Sequence, residues 1–449
     1  MRLEDIQTIY FVGIGGIGMS AIARYFNDLG AAVHGYDRTE TSLTKTLVNE
    51  GMTIHYEEDI QQIPDGVDLV VYTPAVPSTH AELQHFRANQ MPVKKRAEVL
   101  GIISKSRKTI AVAGTHGKTS TSSILTWLLN DGGLECTAFL GGIAQNYQSN
   151  YVKGTSDWVV VEADEYDRSF LHLHPDLALV MSMDADHLDI YGDLDSILET
   201  GFLAFAKQLK TDGQLLVQND FKHHFDGKAE VVGFGVEKGT YRAENIVVED
   251  GCFVFDYVSP NVSIERLRLP LPGRHNVENT VGAIAIALQL GVSAEKLKSS
   301  LERFKGIKRR FEIAYRTDDL VIINDYAHHP TELEAAIGAA KELFPTKKIT
   351  GAFQPHLYSR TRDFVDGFAK ALDGLDEVLL LDIYPARELP IEGVTSQIIF
   401  DRMQSPHKEM ITKETLVKAL KDQELEVLLI LGAGDIETKI KDIIKSIEP

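Results

Sequence analysis

Thr109-Ile110-Ala111-Val112-Ala113-Gly114-Thr115-His116-Gly117-Lys118-Thr119 decides the fold. Five apolar or β-branched residues lead into a turn holding two glycines, and residues 120–129 then adopt a helical pattern. A short apolar run that stops at glycine is how a strand buried on both faces of a parallel sheet reads. The turn itself has a chemistry. Lys118 can reach β and γ phosphates as a point charge, Thr119 can give its hydroxyl to Mg2+, and the amides of Gly114, Thr115, His116 and Gly117 can cradle phosphate oxygens. ATP is the ligand that uses all of these groups. Val112 stands where the longer form of this loop has glycine, so the loop is a shortened variant.

The same alternation of strand, glycine turn and helix recurs on both sides of this stretch. Residues 8–12, 32–36 and 69–72 precede it, 158–161 and 177–181 come after it, and 320–323, 349–353, 377–381 and 426–431 lie further on. The predicted class is α/β, with three domains each built on a mostly parallel sheet. A Rossmann-like domain is expected over 1–107, a central P-loop domain over 108–316 and a Rossmann-like C-terminal domain over 317–449. Residues 233–271 alternate in a more hairpin-like way and predict antiparallel strands.

Composition agrees with this division. The 449 residues suggest about three domains, and 44% hydrophobic with 25% charged residues is ordinary globular usage. A net charge of −19 disfavours nucleic acid and anionic lipid as partners. The two cysteines, Cys136 and Cys252, lie far apart and fit neither a disulfide framework nor a zinc site, which points to a reducing cytoplasm. Residues 1–10 do not read as an export signal, and no apolar run approaches the roughly 18 residues of a membrane span.

A second glycine turn, Gly13-Ile14-Gly15-Gly16-Ile17-Gly18, comes after the strand at 9–12 and opens a helix predicted over 19–29. Its glycines let backbone approach a phosphate, and the helix start supplies N–H groups and partial positive charge. Asp37, 19 residues beyond Gly18, stands where an acid commonly bonds a ribose hydroxyl. This turn selects pyrophosphates in general, so nicotinamide dinucleotides and other nucleotides both fit. A tight turn serving only helix packing is the plainer account.

Several polar groups fall just after strands, where ligands of open α/β sheets collect. Glu162 ends the run 158–161 and is the expected Mg2+ ligand; His187, after 177–181, is a candidate for a second metal ion. Divalent charge is needed wherever a phosphoryl group is passed to a carboxylate, because two anions must meet. His275, Asn276 and Asn279 open a helix rich in Ala and Ile, and their side chains suit an adenine edge or, more simply, a cap. Arg309 and Arg310 can grip phosphate with two N–H groups at once. Asp325, Tyr326, His328 and His329 come after one strand of the last domain, and His356 with Arg360 after another.

Taken together, nine motifs in this order resemble the Mur ligases of peptidoglycan precursor synthesis across essentially the whole chain. They are 13–18, 114–119, 162–164, 186–189, 273–279, 309–312, 325–332, 353–362 and 432–435. The resemblance is strongest to the alanine-adding branch of that family, and it implies a role for most of these motifs. The first domain would hold UDP-N-acetylmuramate on Gly15, Gly16, Ile17, Gly18 and Asp37, with Thr73 and Ala75 on the uridine side. Lys118, Thr119, Glu162 and His187 would take the phosphates of ATP and two Mg2+ ions. Arg310, Asp325 and Tyr326 would clamp nucleotide, while His328, His329, His356 and Arg360 would face the amine and carboxylate of L-alanine. The sequence departs from relatives in three places: Leu357 replaces an Arg after the F-Q-P-H motif, Tyr166 replaces a Ser, and Phe202 stands where other branches carry a modified Lys. No modified Lys is therefore expected, and capture of the alanine carboxylate falls to Arg360.

Three other readings use some of these residues. A recycling branch of the same family would attach an intact peptide to the same sugar. A nicotinamide-dependent oxidoreductase accounts for the first loop and Asp37 but leaves Lys118, Thr119 and Glu162 without work. A P-loop switch would release phosphate without any amine.

Overall fold

The computed structural model describes residues 2–184, 188–225, 230–386, 388–421 and 423–447. Three sheets carry the architecture, and the chain is three-domain α/β with mostly parallel strands.

The first sheet contains β1 (Thr8–Val12), β2 (Ala32–Tyr36), β3 (Thr53–His55), β4 (Leu69–Tyr72) and β5 (Val93–Lys95), all parallel in the order β3-β2-β1-β4-β5. Ile9, Tyr10, Phe11 and Val12 of β1 are fully buried, as expected for a central strand covered on both faces. Strand order reverses between β1 and β4, and a crevice opens beyond the carboxyl ends of strands at such a point. The first glycine loop leaves β1 there.

The middle domain holds β6 (Lys108–Ala113), β7 (Thr137–Ala144), β8 (Ser149–Val152), β9 (Trp158–Ala163), β10 (Leu177–Val180), β11 (Gln214–Gln218), β12 (Val231–Val236), β13 (Tyr241–Glu249), β14 (Cys252–Val258) and β15 (Ser263–Leu269). Eight of these run in the order β13-β12-β11-β10-β6-β9-β7-β8. β6 lies between β9 and β10 with parallel register on both sides, which brings the ends of all three strands to the second glycine loop. β7 and β8 form an antiparallel edge pair. Of the stretch 233–271, expected to be antiparallel, residues 233–236 lie in β12, which runs parallel to β11 and β13, and the rest forms β13 to β15, joined by short turns at Asp250-Gly251 and Ser259–Val262.

The third sheet contains β16 (Glu312–Arg316), β17 (Val321–Asp325), β18 (Ile349–Phe353), β19 (Glu377–Leu380), β20 (Lys408–Met410) and β21 (Val427–Leu431) in the order β16-β17-β21-β18-β19-β20. Only β16 is antiparallel to its neighbour.

The chain divides into two compact units. One comprises Met1–Glu244, Asp256–Glu265 and Glu278–Phe304; the other comprises Asn245–Phe255, Arg266–Val277 and Lys305–Pro449. The first sheet and β6 to β12 of the second thus share a unit, and their cores merge: Phe11, Ile22 and Phe26 belong to the same apolar cluster as Ala111, Phe139 and Val161. The helix Ile17–Asp28 makes this join. Asn150 of β8 donates to Ser20 Oγ at 2.9 Å and to the Ile17 carbonyl, and it accepts from Arg24, whose guanidinium also pairs with Glu50 at 2.8 and 2.9 Å. Tyr25 packs edge-on to Tyr151 and tilted against Phe139. The helix Arg96–Ser106 ends one residue before β6, so at residues 106–108 a helix end runs straight into a strand. No helix among the described residues is long and apolar enough to cross a membrane.

Candidate active site

Two glycines of the first loop, Gly13 and Gly15, have no room for a side chain. Gly13 has φ +88°, and a Cβ there would sit 2.9 Å from Thr73 Cγ2. One at Gly15 would meet Thr44 Cγ2 at 2.7 Å and Asp37 Oδ2 at 2.8 Å. Asp37 comes directly after β2, and its Oδ2 accepts from the Gly15 amide at 2.7 Å. The acid expected to meet a ribose therefore also fixes the loop. Gly16 precedes the helix Ile17–Asp28, Ile17 and Ala75 are exposed, and Gly18 lies against the guanidinium of Arg96.

The second loop runs from β6 into the helix Lys118–Asp131 through Gly114 and Gly117, whose φ values of +136° and +83° favour glycine. A Cβ at Gly114 would lie 2.8 Å from the Ser182 amide, and one at Gly117 would lie 2.6 Å from Asn279 Oδ1. Ser182 organises the loop: its Oγ accepts from the His116 amide at 2.7 Å and bonds Thr115 Oγ1 at 2.8 Å. The His116 ring reaches Asp184 at 3.3 Å. Two carboxylates, Glu162 near the end of β9 and Glu165 just beyond it, then hold the two side chains that matter. Thr119 Oγ1 donates to Glu162 at 2.9 and 3.1 Å, and Glu162 Oε2 also accepts from the Gly141 amide at 2.9 Å. Lys118 Nζ donates to Glu165 at 2.8 and 3.1 Å and to the Gly114 carbonyl at 2.6 Å.

These contacts decide the state of Lys118. Burial works to lower its pKa, but Glu165, Asp164 and Glu162 outweigh burial and push it up to about 12, so the ammonium is charged at any physiological pH. Glu165 is fully buried, and Tyr191 Oη donates to its backbone carbonyl at 2.8 Å. Just beyond, Asp167 and Arg168 both adopt left-handed backbone, at φ +51° and +54°. That costs on the order of 1–2 kcal/mol for each non-glycine residue. The segment is held by Lys95 on Asp167 at 2.8 Å and by Arg168 lying 4.9 Å over the Tyr191 ring.

In the other unit, the third sheet gathers the remaining candidates at the ends of β17, β18 and β21. Asp325 accepts from the amides of Phe311 at 2.6 Å and Ala327 at 2.7 Å. Burial raises its carboxyl to about 6, with Arg310 and the two amides opposing that rise. The guanidiniums of Arg309 and Arg310 lie 4.7 and 5.2 Å from the centre of the Tyr326 ring. His328 Nδ1 lies 3.0 Å from the Tyr326 carbonyl and 3.1 Å from Glu332, and its ring is 6.0 Å from His356, which stacks on Tyr384. His329 caps the helix Pro330–Leu343 and packs its ring on Phe364. Arg360 is buried in the helix Tyr358–Asp363, which starts after Leu357 at φ +70°. Gln354 donates to Asp435 at 3.0 Å and accepts from the Ile436 amide, tying the F-Q-P-H motif to the glycine turn after β21. Asn276 is buried and donates to the Pro272 carbonyl at 2.6 Å, tying the first turn of the helix to the residues before it, while His275 is exposed.

His187 lies outside the described residues. Sequence reasoning does not single out Ser182, Glu165, Gly141, Arg96 or Glu332. Ser182 and Glu165 carry one signal, a position just past a buried strand; the rest are set by chain segments far apart in sequence.

Three family models cover the chain in order. The Mur ligase family catalytic domain matches residues 8–108, the Mur ligase middle domain 112–287, and the Mur ligase glutamate ligase domain 309–434. A UDP-N-acetylmuramate--L-alanine ligase of Flavobacterium johnsoniae is 47% identical over 99% of each chain, and one of Porphyromonas gingivalis is 47% identical over 96% of this chain and 97% of its own. Among solved structures, a UDP-N-acetylmuramate-alanine ligase of Thermotoga maritima superposes with TM-score 0.84 at 31% identity over 98% of both chains. A murein peptide ligase of Psychrobacter arcticus shares the fold, with TM-score 0.73 at 22% identity over 98% of both chains. With three consecutive domain models matched and relatives this similar over its whole length, the chain belongs to the Mur ligase family.

Proposed function

We propose that this protein joins L-alanine to the carboxylate of UDP-N-acetylmuramate with cleavage of ATP, an amide-forming step of peptidoglycan precursor synthesis in the cytoplasm. The observation that carries the reading is the pairing at the second loop, where Lys118 and Thr119 are each held by a separate buried or half-buried carboxylate. An oxidoreductase has no use for that arrangement. The high identity to alanine-adding relatives supports the choice of amino acid.

Residues 108–316 bind the co-substrate ATP: the loop amides and Lys118 take its phosphates, with Asn276, Asn279 and His275 toward the base. Thr119 and Glu162 offer hard oxygen ligands. That set suits Mg2+, which needs only one or two protein carboxylates beside phosphate oxygens and water. Bound there, the ion would neutralise phosphate charge as it develops. His187 is assigned to a second ion. Residues 1–107 hold the sugar nucleotide on Gly15 to Gly18 and Asp37, with Thr73 and Ala75 beside the uridine.

In the first step the muramyl carboxylate oxygen attacks the γ phosphorus, the bond to the β-γ bridging oxygen breaks, and ADP leaves. In the second, the alanine amine attacks the carbonyl carbon of the acyl phosphate, the bond from that carbon to the bridging oxygen breaks, and phosphate departs with that oxygen while the nitrogen gives up a proton. Lys118, fixed in charge by three carboxylates, supplies a preorganised cation for the transferring group. Residues 317–449, with Arg310 just ahead of them, provide Arg310, Asp325 and Tyr326 for the nucleotide and His328, His329, His356 and Arg360 for the amino acid. The acyl phosphate must be shielded, since water would consume it.

A phosphate-release assay with UDP-N-acetylmuramate, a panel of amino acids and one tripeptide tests this. Release is expected only when sugar nucleotide and L-alanine are both present. Preference for the tripeptide would place the chain in the recycling branch, and release without any amine would make it a switch.

A further inference from the structure

Arg96 belongs to none of the motifs, yet it lies between the two functional loops of the first unit. It begins the helix Arg96–Ser106, directly after β5, with about one fifth of its side chain exposed. Its guanidinium has two engaged edges. Nη1 lies 2.8 Å from the position a Cβ would take at Gly18, so the planar group rests on the backbone of the last glycine of the first loop. Nη2 donates to Asp164 Oδ2 at 3.2 Å. Nε and Nη1 have no hydrogen-bond acceptor among the described residues.

Asp164 is a central member of the acid turn. It sits between Glu162, which holds Thr119, and Glu165, which holds Lys118. Its other oxygen accepts from the Tyr166 amide at 3.1 Å, and its carbonyl accepts from the Phe170 amide at 2.9 Å. Asp164 is therefore held in place independently of Arg96. The neighbouring pair, Lys95 with Asp167, fixes the strained turn alongside.

We propose that Arg96 is a further substrate-binding residue, which donates from Nη1, the nitrogen at Gly18, to the diphosphate of the sugar nucleotide while Asp164 positions it through Nη2. This rests on the function proposed above, in which the first loop takes a UDP sugar. The chemistry is specific to a guanidinium. Its five N–H donors in a rigid fork can serve an anion on one edge and a carboxylate on another, which a lysine, as a point charge, cannot do with fixed geometry. A methyl group at Gly18 would displace the fork.

The test is calorimetric titration of the full-length wild-type, Arg96→Ala, Arg96→Lys and Asp164→Asn proteins with UDP-N-acetylmuramate, UDP and uridine, with thermal melts to verify folding. A lost charge-assisted contact of this kind lowers affinity about tenfold to hundredfold. That loss is expected in Arg96→Ala for both UDP compounds, with a smaller loss in Arg96→Lys and Asp164→Asn, and uridine affinity within about twofold of wild type throughout. Equal losses for uridine and UDP in the folded variants would make Arg96 a purely structural tie and overturn the proposal. So would unchanged UDP affinity in Arg96→Ala or, should that variant not fold, in Arg96→Lys. Failure of the wild type to bind UDP-N-acetylmuramate would instead overturn the functional reading on which the proposal rests.

Discussion

The two glycine loops of this protein have the same local plan and opposite sources of chemistry. Each leaves a buried strand, begins its turn at a glycine with positive φ, Gly13 or Gly114, and enters a helix. The first loop's own donors are backbone amides, and a single acid, Asp37, sits on the Gly15 amide. At the second the decisive groups are side chains, Lys118 and Thr119, each held by its own carboxylate. The lesson is that a strand-glycine-helix turn offers a cradle, while the neighbouring strand ends determine what the cradle can do to its contents.

Removing the charge at the second loop should have the largest effect. Lys118→Ala is expected to lower kcat on the order of a thousandfold, while calorimetry still finds UDP-N-acetylmuramate bound at wild-type affinity; retained turnover would erase the contrast between the loops. Asp37→Ala addresses the other side. Sugar-nucleotide affinity should fall about tenfold with ATP-analogue affinity unchanged, and a loss in both would mean the loops are not separate sites.

A pH series sharpens the same contrast. The Lys118 pKa is raised to about 12 from its ordinary value of 10.5. Its ionic contacts therefore contribute fully below about 10.5 and are lost only as pH rises through about 12. Binding of a non-hydrolysable ATP analogue, measured between about pH 7 and 10, should show no titration of this lysine; a step in that range would show that the acid turn does not hold it.

The smallest effect separates backbone from contact. Gly13 and Gly30 have nearly equal φ, +88° and +89°, but only Gly13 is hemmed in, by Thr73 and Val76. Gly30→Ala should cost about 1 kcal/mol in chemical denaturation from backbone strain alone, and Gly13→Ala should cost more. Equal losses would mean that the packing around the first loop yields freely.

Much of this architecture is legible in the order of residues alone. Long apolar runs such as Thr109 to Ala113 declare central parallel strands because burial on both faces removes the polar alternation. The glycines of both loops are legible because positive φ and close approach admit few other residues. Strands of three residues with half-buried, mixed chemistry, such as Val93–Lys95 and Lys408–Met410, carry no such pattern. Nor can Arg96 be matched with Asp164, 68 residues away, or Asn150 with Ser20, 130 residues away. A residue type declares its own preferences. Which distant residue meets it is settled by the packing of helices on sheets.

The seam made by Asn150, Arg24 and the rings of Tyr25, Phe139 and Tyr151 has a practical corollary for anyone dissecting the protein. A fragment cut at the end of the helix Arg96–Ser106 would carry Tyr25 and the buried Arg24 on a bare, sticky flank, and the remainder would present Phe139 and Tyr151 in the same condition. Shortened versions for drug screening should therefore keep both sheets in a single polypeptide, and trimming should begin at the far end of the chain.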